Sequence, residues 1–404
     1  MTTITTCSDT SVKKRIESID ILRGVVMVIM ALDHVRDFFH IEAFTDDPMN
    51  LATTTPLLYF TRWITNFCAP VFVLLSGTSI YLQSLRKTKK ELSTFLIKRG
   101  LWLIFVEVII ISFSWSFDPF YNFIYLQVIW AIGISMVLLG FFIHLPYKII
   151  LVLGLLIFFG HNLLDIPEAA PSFKAGFWWD ILHHAKWADY AITPNHHLII
   201  IYPFVAWTGI MMLGYCGGIL FTPNFTGAQR HKILTRTGFA LVLFFIVLRF
   251  ANIYGDPIAW TTQRNGLYTF LSFMKIHKYP PSLLYFCITI GPALLFLAFI
   301  EKIKNRFTNI MLVFGRTAFF YYILHFYLLH LLLMVTFYVQ GNTTAQAIAS
   351  LKNLPFLYCI PGKGFGLAGV YAVWAGVIIA LYPLCKWYDR YKTNNKQKWW
   401  LSYL

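Results

Sequence analysis

Residues 18–40 read SIDILRGVVMVIMALDHVRDFFH, and the fold is decided by how this stretch is read. It is long and apolar enough to cross a bilayer, which takes about 20 residues. Yet it carries Asp20, Arg23, Asp33, His34, Arg36 and Asp37. Ionisable groups inside a span are costly and usually mark a functional path. At about 100° per residue, Asp20, Arg23, Met27, Met30, His34 and Asp37 fall within one stripe roughly 100° wide. Asp33 falls to one side of it and Arg36 to the back. Arg23 and His34 are separated by about 16 Å along the axis. A cation near one surface and an imidazole near the other then face one interior path. The plainer reading is that the terminal charges cap the helix and snorkel at the two interfaces. That accounts for the ends but not for the shared stripe. A proton path is a second functional reading.

Nine further apolar segments follow, at approximately 56–84, 95–117, 121–143, 147–164, 197–221, 237–254, 281–300, 308–338 and 366–386. The expected architecture is an all-α polytopic membrane protein, a bundle of about ten transmembrane helices in one domain spanning 1–404. No internal repeat and no Gly/Ser- or Pro-rich linker divides it. The first stretch carries charges and no small-residue cleavage site follows it, so it reads as a span rather than a cleaved signal.

The whole composition agrees. Of 404 residues, 58% are hydrophobic and 13% charged, about half the charge of a soluble domain. This excludes a soluble enzyme, a disordered chain and a nucleic-acid binder. The 18% of aromatic residues suits interfacial belts, and the net charge of +15 suits basic loops facing the cytoplasm and anionic lipid. With Lys13, Lys14 and Arg15 inside, the even-numbered connections also lie inside. They carry Arg86 to Arg99, Lys148, Arg230 to Arg236 and Lys302 to Arg306, and the tail adds Lys386 to Lys398. Ten spans with both termini cytoplasmic are expected. Residues 40–55, 165–196 and 255–280 are expected outside. The segment 165–196, with FWWDILHHAKWADY, reads as an amphipathic helix on the outer interface or as a lid over a substrate cleft. The six cysteines are scattered and read as small buried hydrophobes.

These motifs resemble a known family. SIDILRG, with ten residues between Arg23 and His34, is similar to the signature of the transmembrane acyltransferase superfamily. The longer string through Phe39, with NFCAPVFVLLSGTSIYL in the second segment, resembles the bacterial branch of the heparan-α-glucosaminide N-acetyltransferase-like proteins. IYPFVAWTGIMMLGYCGG, KYPPSLLYF and FGRTAFFYYILHFYLLH resemble that branch as well. The resemblance implies a multi-pass enzyme of the bacterial inner membrane. It would move an acetyl group from cytoplasmic acetyl-CoA to an amino sugar or glycan on the far side, its partners being membrane lipid and the acceptor, with a homodimer compatible. The lysosomal members are similar in having Asn where His34 stands, with their catalytic histidine in the following loop. The histidine role therefore transfers to His34 only from the broader superfamily.

The chemistry sets the candidate roles. An imidazole suits deprotonation of the acceptor, so His34 is the expected base. Asp33 or Asp37 would orient it. Asn66 or Tyr322 would donate to the oxyanion. Arg23, beside Asp20, and Lys98, Arg99 and Arg316 lie at the depth expected to meet the phosphates of CoA. Tyr322 and His325 share a face with Tyr321, as a structural cluster or as a substrate site. His196 and His197 open the sixth segment, at the interface or on the substrate. Arg249 is expected to pair with an interior carboxylate such as Asp118. No histidine pair stands at i,i+4 spacing, so no metal is expected. The runner-up class is a transporter or flippase without covalent chemistry, although inverted repeats are not evident. A scaffold protein, the third class, would not need the charged stripe.

Overall fold

The computed structural model describes residues 16–351, 354 and 356–402. Lys13, Lys14 and Arg15, used above for orientation, and Cys7, one of the six cysteines read as buried, lie outside the described residues. The chain is a helical polytopic membrane protein. Its principal helices are α1 Glu17–Phe39, α2 Pro56–Ser84, α3 Lys89–Phe105, α4 Val128–Phe142, α5 Tyr147–Glu168 and α6 Phe204–Phe221. They continue with α7 Gly227–Ala251, α8 Leu283–Ile300, α9 Arg306–Arg316, α10 Ala318–Val339 and α11 Leu367–Asn394. Seven of these, α2, α5, α6, α7, α8, α10 and α11, are long and apolar enough to cross a membrane.

α1 sits at the centre, against α2, α8, α9, α10 and α11. Its contact with α9 is backbone on backbone. A Cβ at Gly24 would lie 1.9 Å from the Met311 carbonyl oxygen, and one at Gly315 would lie 1.8 Å from that of Asp20. The glycine of the SIDILRG string is thus a packing requirement. Large apolar side chains such as Leu156, Phe239, Leu243, Phe250 and Ile379 face outward from α5, α7 and α11, as lipid-facing surfaces do. The charges of α1 are enclosed by protein instead.

Helix starts follow local chemistry. Thr55 caps α2 ahead of Pro56, and Thr88 with Glu91 forms a capping box on α3. α3 passes into a π-turn, Val106–Ile111, and a short helix Ser112–Ser116 that stops at left-handed Phe117.

Four features differ from the sequence reading. The segment 165–196 is not one amphipathic helix. It holds a short helix, Phe177–Leu182, and strand β2 Ala188–Thr193, which forms a hairpin with β3 His196–Ile200. β3 pairs in parallel with β1 Phe123–Leu126, giving the order β1-β3-β2. The starts of the expected fourth and sixth spans are therefore strands, and α6 begins only after its N-cap, Pro203. A proline disfavours helix in the residue before it, which ends any backward extension. The segment 308–338 breaks into α9 and α10 at Thr317, whose backbone leaves the helical region at φ −114° and ψ 24°. Lastly, Arg249 does not reach Asp118. It pairs with Asp256 at 3.7 Å and donates to the carbonyls of Phe273, Ile258, Ser272 and Lys275. Asp118 instead accepts from the backbone N–H groups of Phe120 and Asn122.

The loops 40–55, 165–196 and 255–280 gather at one end. Tyr268 donates to the Thr54 carbonyl, Lys275 lies 3.6 Å from Asp47, and Trp187 packs on Tyr279. The opposite end is basic, with Lys87, Arg99, Arg316, Lys392, Lys396 and Lys398 around one cavity.

Candidate active site

Two cavities flank the middle of α1. The one at the basic end has a volume of about 810 Å³ and is lined by Arg23 and Met27 from α1. The one at the loop end has about 270 Å³ and is lined by Met30, Asp33, His34, Arg36 and Asp37. Phe72 of α2, Val128 of α4 and Tyr322 of α10 line both. Arg23, Met27, Met30, His34 and Asp37 of the expected stripe thus line the cavities, Asp20 does not, and Asp33 and Arg36, expected off the stripe, do; the two cavities meet at Phe72, Val128 and Tyr322.

At the basic end, Arg23 donates to Asp20 at 2.8 Å, to Ser79 Oγ at 3.0 Å and to the Gly315 carbonyl at 3.4 Å. Arg99 and Arg316 line the same cavity, and Arg316 faces Asp389 at 3.7 Å. Lys98 points out of the bundle and does not line it. Asp20 is buried behind Arg23. It fixes the guanidinium but does not face the cavity.

At the loop end, His34 Nδ1 lies 2.7 Å from His325 Nε2. His325 Nδ1 in turn lies 3.1 Å from the Tyr321 carbonyl oxygen. That carbonyl can only accept, so His325 carries its proton on Nδ1 and accepts on Nε2. His34 must then donate through Nδ1, which leaves its Nε2 a bare lone pair, the form required of a base. Phe326 packs on the His34 ring at 4.2 Å between centroids, and Trp115 meets its edge at 5.6 Å. Both rings hold its orientation.

The orienting carboxylate expected for His34 is thus replaced by a neutral imidazole. Asp33 and Asp37 instead share Arg36, whose Nη2 lies 3.1 and 2.6 Å from them. Arg62 adds a second cation 3.5 Å from Asp33. Arg36 is therefore not on an outward-facing back of the helix. α1 is surrounded by protein, so every face of its outer end is interior and a long guanidinium wraps round to its own carboxylates. Asn66 does not face the cavity. Its Oδ1 accepts from Arg62 at 3.3 Å and its carbonyl from Tyr285 at 2.9 Å. Tyr322 is the better placed of the two expected oxyanion donors. His196 and His197 lie on the hairpin, bonded to Thr193 and Asp189 at 2.6 and 2.7 Å, and line neither cavity.

The sequence reading missed several contributors. Glu107 is fully buried on the π-turn and accepts from the backbone N–H groups of Gln127 and Trp130 at 3.3 and 3.1 Å. It caps α4 beside Val128, where the cavities meet. A lone carboxylate in LWLIFVEVIIISF was a readable signal, as was Arg62 near the start of α2. Lys278, Trp187, Trp115 and Tyr202 complete the loop-end wall. They come from separate elements: Trp187 lies in the stretch read as an interfacial helix or a lid, Tyr202 and Lys278 lie in two of the quoted motif stretches, and Trp115 alone gave no sequence signal. Asp46 stands at the mouth, where hydrogen bonds from Thr53 and Asn50 hold its carboxyl below the usual range.

The heparan-alpha-glucosaminide N-acetyltransferase catalytic family matches residues 15–254, more than half of the chain. The chain belongs to this family. No curated protein matches it significantly. The family implies acyltransferase activity in a membrane protein and in general uses acetyl-CoA as donor. The matched region holds Arg23, Asp33, His34 and Arg62. Arg316, Tyr322 and His325 lie beyond it, so the imidazole partner of His34 comes from the unmatched part of the chain.

Proposed function

We propose that the protein transfers an acetyl group from acetyl-CoA, taken up at the basic end, to the amine or hydroxyl of an amino sugar or glycan that arrives at the loop end. The meeting of the two cavities at Phe72, Val128 and Tyr322, with His34 just beyond, carries this reading. The phosphates of CoA would lie among Arg23, Arg99 and Arg316, and the thioester would extend along Met27 toward Tyr322. His34 Nε2 takes a proton from the acceptor as its nitrogen or oxygen adds to the thioester carbonyl. The Tyr322 hydroxyl donates to the resulting oxyanion. The carbonyl re-forms, the carbon–sulfur bond breaks, and the imidazolium returns its proton to the leaving thiolate. The aromatic walls of Trp115, Trp187 and Tyr202 suit the apolar faces of a sugar ring, and Asp33, Asp37 and Lys278 its polar edge.

The deciding experiment measures CoA release by purified protein given acetyl-CoA and glucosamine. Acceptor-dependent CoA release supports transfer. Uptake of sugar into vesicles without CoA release supports a transporter instead.

Basic residues at one end imply that this end is cytoplasmic, along with both termini, in a ten-span arrangement in a bacterial inner membrane. A cysteine introduced at position 46 should react with an impermeant label only from outside the cell, and one at position 396 only from inside. Labelling of position 46 from the cytoplasmic side alone would reverse the topology.

Arg23→Ala should weaken CoA binding by about tenfold or more, as expected when a charge-assisted contact to phosphate is lost, with little change in the KM for acceptor. Calorimetry that finds equal CoA affinity in variant and parent would remove Arg23 from the donor site and leave it as the ion-pair partner of Asp20.

A further inference from the structure

We propose that residues 392–401, the segment that ends α11 and follows it, form a clamp for the nucleotide end of CoA, with Lys396 and Lys398 on its phosphates and Trp399 on its adenine. This rests on the donor reading given above and names what recognises the donor. The cavity at the basic end is long. Its lining steps along α2 through Phe72, Ser76, Ser79 and Gln83 and then reaches Lys87. From Phe72 to Gln83 the helix rises about 16 Å. Phe72 and Tyr322 stand where the two cavities meet. A donor with its thioester at Tyr322 therefore has its far end among the basic residues at the mouth. In CoA that far end is an adenosine 3′-phosphate carried on a pyrophosphate.

The segment is brought to the mouth by contacts of its own. α11 ends at Asn394, and the chain then turns back. Asn395 Nδ2 donates to the Tyr391 carbonyl at 2.9 Å, and Lys398 Nζ donates to the Tyr391 hydroxyl at 2.7 Å. Trp400 packs on the Tyr391 ring at 6.4 Å between centroids. In the short helix Trp399–Ser402, Leu401 is turned inward onto the cavity wall and is buried. Basic residues after a last span are expected from topology alone. Topology does not require the segment to fold back and line a cavity. An ammonium carries three protons, so Tyr391 can fix the position of Lys398 and leave protons for a phosphate.

The chemistry of the lining selects the ligand. Lys392, Lys396 and Lys398 join Lys87, Arg99 and Arg316 round the mouth, and no Asp or Glu among the described residues lines the cavity. Charges of one sign crowded at one cavity repel one another and favour a polyanion. Farther in, Leu103, Ile129, Ile132 and Met136 make the wall apolar. That suits the uncharged arm that carries the thioester. Trp399 is 75% exposed and lines the same cavity as those lysines. An exposed indole is a stacking surface for a base. The helices thus hold the arm and thioester, and the last segment holds the nucleotide.

The test measures binding to the full chain purified in detergent. Calorimetry gives the Kd for CoA, and competition against CoA gives that for adenosine 3′,5′-bisphosphate, which is the nucleotide end without the arm. Both should bind the parent. In the double variant Lys396→Gln, Lys398→Gln, both Kd values should rise about tenfold, as expected when charge-assisted contacts to phosphate are lost. Trp399→Ala should raise both about fivefold, the effect of losing one base stack. Lys304→Gln, at a lysine that lines a different cavity, should bind both ligands as the parent does, which separates contact from net charge. Should the double variant fail to fold, Lys396→Gln alone carries the test, because that side chain is exposed; about a threefold rise is then expected. Equal CoA affinity in parent and lysine variants would overturn the clamp and leave the donor reading standing. So would a parent that binds CoA but not the bisphosphate. A parent that binds no CoA would remove the donor reading and the clamp together.

Discussion

Replacing His34 with alanine is expected to lower acetyl transfer by about 100-fold or more, the usual size of a lost general base. The protein should stay folded and hold CoA as the parent does. Steady-state CoA release gives the first quantity and calorimetry the second. The expectation rests on the tautomer fixed by the His34–His325–Tyr321 chain, which bares Nε2 toward the cavity. Once His34 is protonated, its Nδ1–H still donates to His325, so the charge is shared with a neutral neighbour rather than an aspartate. His325→Ala should therefore lower kcat while leaving the acceptor KM nearly unchanged. His325→Gln should recover part of it, because the Gln carbonyl can still accept from Nδ1–H. A purely structural His325 would show no such recovery in kcat. His34→Asn should fare no better than alanine. The other nearby histidines are badly placed to substitute: His40 is buried and accepts from the Glu42 N–H, and His196 is held by Thr193 on the hairpin. Full activity in His34→Ala would defeat the assignment and leave the stripe as a set of ion pairs.

The second large effect concerns Gly24 and Gly315. Either residue changed to valine should abolish recovery of folded, monodisperse protein from the membrane, as judged by size-exclusion chromatography in detergent. The physical ground is the absence of room. The first added carbon already falls within 2 Å of a carbonyl oxygen on the facing helix, and that oxygen belongs to rigid backbone rather than a movable side chain. Overpacking even in a tolerant core costs about 1–3 kcal/mol, and here α1 and α9 would have to part. Parting them would also break the approach of Arg23 to the Gly315 carbonyl and widen the donor cavity. Alanine should be milder but still destabilising. A valine variant at either position with parental yield and thermal stability would show that the two helices do not pack this way.

Much of this molecule was legible along one dimension. Apolar runs of about bilayer length gave the helical membrane architecture, because backbone groups in lipid must be satisfied within a helix. The 3.6-residue period placed Arg23, Met27, Met30, His34 and Asp37 on one stripe of α1, and all five line the cavities. The SIDILRG string, read with the stretches after it, gave the family. Periodicity speaks only about one helix, however. Which residues meet His34 depended on how α10 packs against α1, and that packing chose His325 over Asp33 or Asp37. Arg36 was assigned to the back of the helix because a wheel assumes one wet face, and α1 has none. The sheet was missed for two reasons: β3 pairs in parallel with β1 some 70 residues earlier, which leaves no local signal, and the local β2–β3 hairpin lies in a stretch whose tryptophans and histidines read as an amphipathic helix or a lid. The sequence by itself determined the chemical groups and the side of α1 on which they stand. The tertiary structure alone decided their partners, and with them which nitrogen carries the proton, because hydrogen-bond partners are set by distances between helices that no spacing along the chain records.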